Sequence, residues 1–275
     1  MTAITPDPGT ASYAPGHQPS VLASHAARTA ANSCAYFADR VPRGARVLDL
    51  GCGPGSITLD LAEMVGPEGQ VVGVDFSPAA IDAARRAAHA RGDSRTRFVV
   101  ADLDELGGEP ETFDVVYAQQ VLQHLGDPVA ALRTMGRLCR SGGIVAVRDA
   151  DYGAMAWFPE FAGLRAWHEL YCASARALGG EPDAGRRLNA WVRAAGLVVD
   201  AATSSVWTYA TPDTARWWGG SQADRVETSS FADHARARGV ASEQLAAIAA
   251  DWRAWGEDPD AWFLLPHGEV VARRP

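Results

Sequence analysis

The run Val47-Leu48-Asp49-Leu50-Gly51-Cys52-Gly53-Pro54-Gly55 constrains this chain more than any other stretch of its 275 residues. Its apolar start reads as a buried parallel strand, and it stops at three glycines set on alternate positions. The next segment is helical in pattern, with Ile57, Leu61 and Met64 on one face. Glycine is required where backbone turns sharply, or where a ligand lies against the chain with no side chain between. The helix start behind the loop adds unpaired N–H groups that a polar ligand can take.

Spacing separates two ligand classes. A dinucleotide-binding turn follows G-x-G-x-x-G, which would put its third glycine at position 56. Here Ser56 holds that position and Gly55 comes one step early. The pattern therefore disfavours a nicotinamide dehydrogenase.

Length and an apolar content of 47% suit one large α/β domain, or a domain plus a cap. The balance of 25 basic against 33 acidic residues gives a net charge of −8, and every basic residue is arginine. An acidic chain without a basic run offers little to a phosphate backbone, so no nucleic-acid partner is expected. The lack of lysine excludes Schiff-base chemistry and a lysine base. Cys34, Cys52, Cys139 and Cys172 are scattered with no C-x-x-C pair, and no metal site is expected. Met1 to Gly16 has neither a basic start nor an apolar core, and no stretch approaches the roughly 20 apolar residues of a membrane span. A cytoplasmic protein with no membrane partner is the expectation.

Three regions follow from the patterning. Residues 1–19, rich in Pro, Gly, Thr and Ser, read as a flexible arm. Pro19-Ser20 then starts a helix whose stripe is Leu22, Ala26, Ala30, Cys34 and Phe37, with His25, Arg28 and Asn32 sharing another face. Residues 20–150 form a core in which strands at 46–50, 70–74, 97–101, 113–118 and 143–148 alternate with helices, the rhythm of a parallel sheet covered on both faces. Residues 151–275 read as a helical cap that also carries the last two strands, at 197–209 and 262–272. All nine tryptophans lie at or beyond Trp157.

The series LDLGCGPG, VVGVDFSP, ADLDEL, FDVVYAQQVLQHL and GGIVAVRD, over residues 45–150, resembles the class I S-adenosylmethionine (SAM) methyltransferases of the ubiquinone/menaquinone-biosynthesis type. The resemblance implies a Rossmann-like seven-stranded, mostly parallel sheet with an antiparallel last strand, helices on both faces and helical cap insertions. It implies SAM across the strand ends and S-adenosylhomocysteine as product. The cofactor set it implies contains Asp49, Gly51, Gly53 and Gln119. Asp75, ending the second strand, would accept both ribose hydroxyls, although the same residue also reads as a helix N-cap before Ser77-Pro78. Phe76 would pack on the adenine, Asp102 would accept from its amino group, and Leu103 would offer a backbone N–H. Arg28 would pair with the methionine carboxylate, and Tyr13 and His17 would fold over the cofactor as a lid.

Further segments, among them Tyr13-x-x-Gly16-His17, DADYGAMAW, EPDAGRR, RWWGG and WFLLPHGEV, are similar to a subgroup that methylates secondary metabolites, the gliotoxin bis-thiomethyltransferase type among them. The acceptor is then expected to be a small molecule, with transfer to a thiol as the specific reading. O-, N- or C-methylation of a natural product, isoprenoid carbon included, is the alternative, and a SAM-binding protein without turnover is a further one.

Methyl transfer from a sulfonium is an in-line displacement that depends on alignment and dryness. A thiol with a pKa near 8.5 ionises unaided, whereas an alcohol needs a placed base. His124, in a helix expected to follow the fourth strand and cover the sulfonium side, and Asp149, where the fifth strand ends, are the candidate bases. Gln120, His124, Tyr152, Trp157 and Trp218 are the candidate acceptor pocket. A monomer or a homodimer is compatible with the sequence.

Overall fold

The computed structural model describes residue 25, residues 27–102 and residues 111–275. Tyr13, His17, Leu103 and the arm over 1–19 lie outside the described residues.

Strand β1 (Arg46–Leu50) forms where Val47, Leu48 and Leu50 are all buried, as a strand covered on both faces requires. It pairs in parallel with β2 (Gln70–Asp75) on one side and with β4 (Phe113–Gln119) on the other. Next come β3 (Arg97–Val100) outside β2 and β5 (Cys139–Ala150) outside β4, both parallel. The carboxyl ends of β1 and β4 therefore flank the point where strand order reverses, the place where open α/β sheets bind ligands.

The antiparallel member is β8 (Trp262–Arg273). One edge of it pairs with β5 over 267–273 and with β6 (Ala156–Phe158) over 262–264, and the other edge pairs with β7 (Val198–Tyr209). Eight strands thus fill seven positions, because β5 and β6 cover successive stretches of one edge. The expected Rossmann-like sheet with its antiparallel strand is present. The added strand β6 is three residues long, too short to display a two-residue period.

The helices of the first half are α1 (Ala30–Ser33), α2 (Ser56–Val65), α3 (Pro78–Ala90) and α4 (Pro128–Leu138). Those of the second half are α5 (Ala162–Ala177), α6 (Leu188–Ala194), α7 (Pro212–Thr228), α8 (Ser230–Ala237) and α9 (Ser242–Glu257). Alternation along β1 assigns the faces. Val47 packs with Phe37, Ile57 and Leu61 under α2, while Leu48 and Leu50 pack with Leu132, Met135, Leu188 and Val192 under α4 and α6. The helices α5, α7, α8 and α9 gather a separate aromatic core in which Trp218, Trp252 and Trp255 surround Phe263 of β8 and Trp167 packs edge-on against Trp252. Among the described residues no helix is long and apolar enough to cross a membrane.

Two local expectations need correction. The first helix is interrupted: Arg28 and Thr29 are non-helical, and Thr29 caps α1 anew. Its hydroxyl accepts from the Asn32 N–H while the Asn32 side chain accepts from the Thr29 N–H, a reciprocal pair that defines a helix start. His25, Arg28 and Asn32 therefore do not share one helical face. Likewise His124 lies in the single 3-10 turn Leu122–His124, not in a covering helix. Asp127 accepts from the Ala130 N–H to start α4, and Pro128 keeps the residue before it out of the helical region.

Candidate cofactor and acceptor site

The glycine loop is pinned at its base and open at its tip. Backbone N–H groups of Gly51 and Cys52 donate to the Val74 carbonyl at 2.8 and 3.0 Å, tying the loop to β2. Gly51 has φ of +69°, and a Cβ there would lie 2.3 Å from Val121, so only glycine fits. At Gly53, with φ of +53°, a Cβ would meet the His25 ring alone among the described residues, at 3.9 Å, so those residues leave room for a ligand against that backbone.

Asp75 closes the loop from the β2 side. One carboxylate oxygen accepts from the Gly53 N–H at 3.0 Å and the other from the Ser77 N–H at 2.9 Å. The cap of α3 is Ser77, so Asp75 is released from the capping role that its sequence position also allowed. Phe76 beside it is 42% exposed, an uncommon state for a phenylalanine at a strand end. Asp102 follows β3, where Ala101 donates to the Asp75 carbonyl. Asp49 is buried beneath the loop and accepts from the Thr58 hydroxyl at 2.7 Å. Burial pushes its carboxyl up to about 7, which the Thr58 hydrogen bond opposes and the Asp75 charge reinforces.

The end of β4 carries a polar chain. Gln120 has φ of +51°, a left-handed conformation that costs a non-glycine residue on the order of 1 kcal/mol or more and concentrates at functional sites. Its backbone N–H donates to the Arg148 carbonyl at 2.7 Å. Arg28 donates to the Gln120 side-chain oxygen at 2.6 Å, and the Gln120 amide donates to Nε2 of His267 at 2.7 Å. His267 is buried, and burial pulls its pKa well below the ordinary value, with the charges of Arg148 and Arg28 acting the same way. Gln119 turns to the other face, accepting from the Tyr117 hydroxyl and donating to Ser33.

The two candidate bases are shifted in opposite directions. Removal from water pushes the His124 imidazole down to about 3, and the charge of Arg28 adds to this. Asp149 is fully buried within β5 and accepts from the Gln123 N–H at 3.2 Å, so it holds the turn that carries His124. Burial pushes its carboxyl up to about 8, against the pull of backbone N–H groups at Gln123, Leu122 and Val121. A folded pKa above that of an unfolded aspartate means the folded state holds the proton more tightly, so stability falls as pH rises from about 4 towards about 8. Asp149→Asn keeps the oxygen that accepts from Gln123 and has no proton to lose. Urea unfolding across this window should show a flatter profile for the variant and a more stable variant at about pH 8. Parallel profiles would contradict the assignment.

Tyr152 and Trp218 come together around one cavity in the cap, with Trp167, Tyr171, Arg225 and Phe231. Trp157 does not line it: it lies in β6, stacked on Phe263 with ring centroids 6.1 Å apart. His267, Gln222 and Arg225 were not among the residues expected from sequence. Only the two-residue alternation of Phe263, Leu265, His267 and Glu269 on one buried face of β8 could have signalled the histidine.

The methyltransferase-domain family model matches residues 42–204, more than half of the chain, with the glycine loop, Asp75 and Gln120 inside the match. The chain belongs to that family. A methyltransferase of Schizosaccharomyces pombe without an assigned substrate is 30% identical over 276 residues, covering 95% of this chain and 96% of its own. Aklanonic acid methyltransferase DauC of a Streptomyces strain is 37% identical over 111 residues, 40% of this chain and 50% of the relative. Among solved structures, a Haemonchus contortus phosphoethanolamine N-methyltransferase in complex with S-adenosylhomocysteine superposes with a TM-score of 0.53 at 19% identity, over 86% of this chain and 50% of that one, a likeness of fold. The protein is therefore a SAM-dependent methyltransferase. The open space at Gly53 and the carboxylate of Asp75, both at the carboxyl ends of parallel strands, fit that cofactor.

Proposed function

We propose that this methyltransferase acts on a small-molecule acceptor whose nucleophile ionises unaided near neutral pH, a thiol foremost. The observation that carries this reading is that the histidines at the strand ends are poor bases and the one basic carboxylate is walled in: His124 is held down to about 3, His267 lies well below its ordinary value, and Asp149, raised to about 8, is fully buried within β5 with an oxygen on the Gln123 N–H. A thiol is already a few per cent thiolate at neutral pH. An alcohol would depend on a base that contributes typically 10²–10⁴-fold. When bound, SAM would supply a methyl carbon made electrophilic by its sulfonium.

In this reading Asp49, Gly51, Gly53, Asp75, Phe76 and Asp102 form the cofactor cradle, and Arg28 with Gln120 forms the wall between cofactor and acceptor. Gln119 supports that wall through Ser33 rather than reaching the cofactor. The similarity to enzymes of secondary metabolism, DauC among them, supports a small-molecule acceptor. The ring-lined cap favours a second reading, O- or C-methylation of a ring-bearing natural product. That reading differs in requiring an enzyme base.

The pH dependence of kcat/KM for a series of aryl and alkyl thiols separates the two. The limb of the profile should move with the pKa of the thiol, and His124→Ala should lose less than about tenfold in kcat, below the usual contribution of a general base. A limb fixed at one pH for all acceptors, together with a loss of about 100-fold or more in His124→Ala, would overturn the proposal.

A further inference from the structure

Arg28 reaches the strand ends from outside the sheet and is held there from two sides. Its backbone N–H donates to the His25 carbonyl at 3.1 Å, and the Ser56 hydroxyl donates to the same oxygen at 3.3 Å. Ser56 opens α2, so the segment is tied to the helix behind the glycine loop. On the other side the Arg28 guanidinium donates to the Gln120 side-chain oxygen and lies 5.5 Å from the centre of the Trp207 ring of β7. The Trp207 indole N–H donates to the Asn32 carbonyl at 3.0 Å, so β7 meets both ends of the stretch from Arg28 to Asn32.

The chemistry of these groups fixes the direction of each hydrogen bond. A guanidinium can only donate, so it takes the amide oxygen of Gln120. That leaves the amide nitrogen facing His267, 2.7 Å from Nε2, and an amide nitrogen also only donates. Nε2 must therefore accept, which puts the single proton of a neutral imidazole on Nδ1. Burial and the charges of Arg148 and Arg28 hold the ring in that neutral form. With this tautomer, a Gln120 amide turned by half a rotation would set donor against donor at Arg28 and oxygen against lone pair at His267. His267 itself is held firmly: it pairs with Ala150 of β5 and Ser205 of β7, is 1% exposed, and its ring lies 4.5 Å from that of Trp207.

The relay ends at the cofactor side of the site. Asp75 ends β2 and Gln120 follows β4, on either side of β1 and its glycine loop. A cofactor whose ribose meets Asp75 at one end carries its methionine carboxylate at the other, and a guanidinium fork matches a carboxylate. Resting on the placing of Asp75 and Arg28 at the cofactor, and not on the nucleophile of the acceptor, we infer that His267 is a positioning residue for cofactor binding. It orients the Gln120 amide, and through it the Arg28 guanidinium, toward the carboxylate of SAM. The last strand of the sheet, beyond the family match that ends at residue 204, thereby sets cofactor affinity.

The test is calorimetry of the full chain with two ligands that share adenine and ribose. S-adenosylhomocysteine carries the carboxylate, and methylthioadenosine lacks the whole amino-acid portion. His267→Met removes the acceptor and should weaken S-adenosylhomocysteine by about tenfold or more, the scale of one contact to a charged group. Methylthioadenosine should stay within about twofold. His267→Gln, whose side-chain oxygen accepts at about the reach of Nε2, should stay within about threefold of wild type on both ligands. Arg28→Met should show the same selective loss, and adding His267→Met to it should cost no more than about another twofold, as coupled residues behave. If His267→Met does not fold, Gln120→Met, at a half-buried position after β4, carries the same expectation. Equal losses on both ligands, or full affinity in His267→Met beside an impaired Arg28→Met, would overturn the relay alone. Full affinity in Arg28→Met would overturn it by removing Arg28 from the cofactor. No acceptor is present in these titrations, so either failure leaves the reading of the nucleophile standing.

Discussion

Asp75→Ala should lose S-adenosylhomocysteine binding by about 100-fold or more, equivalent to roughly 2.7 kcal/mol, while remaining folded. The carboxylate makes two charge-assisted hydrogen bonds to backbone, one holding the tip of the glycine loop at Gly53 and one holding the entry to α3 at Ser77. Contacts to a charged group are worth about 1.5–3 kcal/mol each, and removing the carboxylate leaves two N–H groups without their acceptor. If Asp75 also takes the ribose hydroxyls, as proposed, loop order and ligand contact vanish together. Asp75→Asn should fall between, since an amide retains one acceptor oxygen and no charge. Calorimetry on the three proteins, with far-ultraviolet circular dichroism as the folding control, reads the effect directly. Binding by Asp75→Ala within about threefold of wild type would remove Asp75 from the cofactor cradle.

The second large effect concerns stability. Glu269→Ala should destabilise the protein by about 3–5 kcal/mol, a large share of the 5–15 kcal/mol that holds a typical domain folded. Glu269 lies directly across from Arg148 in the β5–β8 ladder and accepts from its Nε at 3.1 Å, and both side chains are buried. Thr203 and Ser205 of β7 donate to the same carboxylate, and Arg148 donates to Ser205 at 3.1 Å while lying 4.7 Å from the centre of the Trp207 ring. Deleting the carboxylate strands a buried guanidinium and three strands' worth of polar contacts at once. Replacing both charges by apolar groups of similar size is a different perturbation, often neutral or stabilising. Urea denaturation should therefore show Arg148→Met/Glu269→Leu recovering most of the loss. A Glu269→Ala protein as stable as wild type would mean that water reaches Arg148.

The same pair shows why some of the fold is legible in sequence and some is not. Strands β1, β2 and β4 announce themselves because their centres are buried on both faces and carry the apolar runs Val47-Leu48, Val71-Val72 and Val115-Val116. The glycine loop announces itself because Gly51 is required by a φ of +69° and a neighbour at 2.3 Å. Asp75 is legible because it ends an apolar run at the expected distance from those glycines. Arg148 and Glu269 give no such signal: each is a polar residue in a strand, and only the cross-strand register reveals that they face one another. The break at Thr29 was hidden by an apolar stripe that continues through it, since two reciprocal hydrogen bonds outweigh a periodic pattern over so short a helix. Trp157 and Trp218 looked alike in sequence, yet β6 turns one onto Phe263 while α7 brings the other to the cavity. The glycine loop is legible because it is local, whereas the proposed acceptor side is assembled from β4, β8, α5 and α7.

Transfer of a methyl group from SAM to an acceptor that ionises unaided is tested by incubating the full chain with SAM labelled in its methyl group and with matched small aromatic acceptors, a thiol, a phenol, an alcohol and an amine on one scaffold. Label on sulfur and stoichiometric S-adenosylhomocysteine with the thiol, with the alcohol inert, is the expected result. Turnover confined to the oxygen or nitrogen acceptors, with the thiol inert, would contradict it.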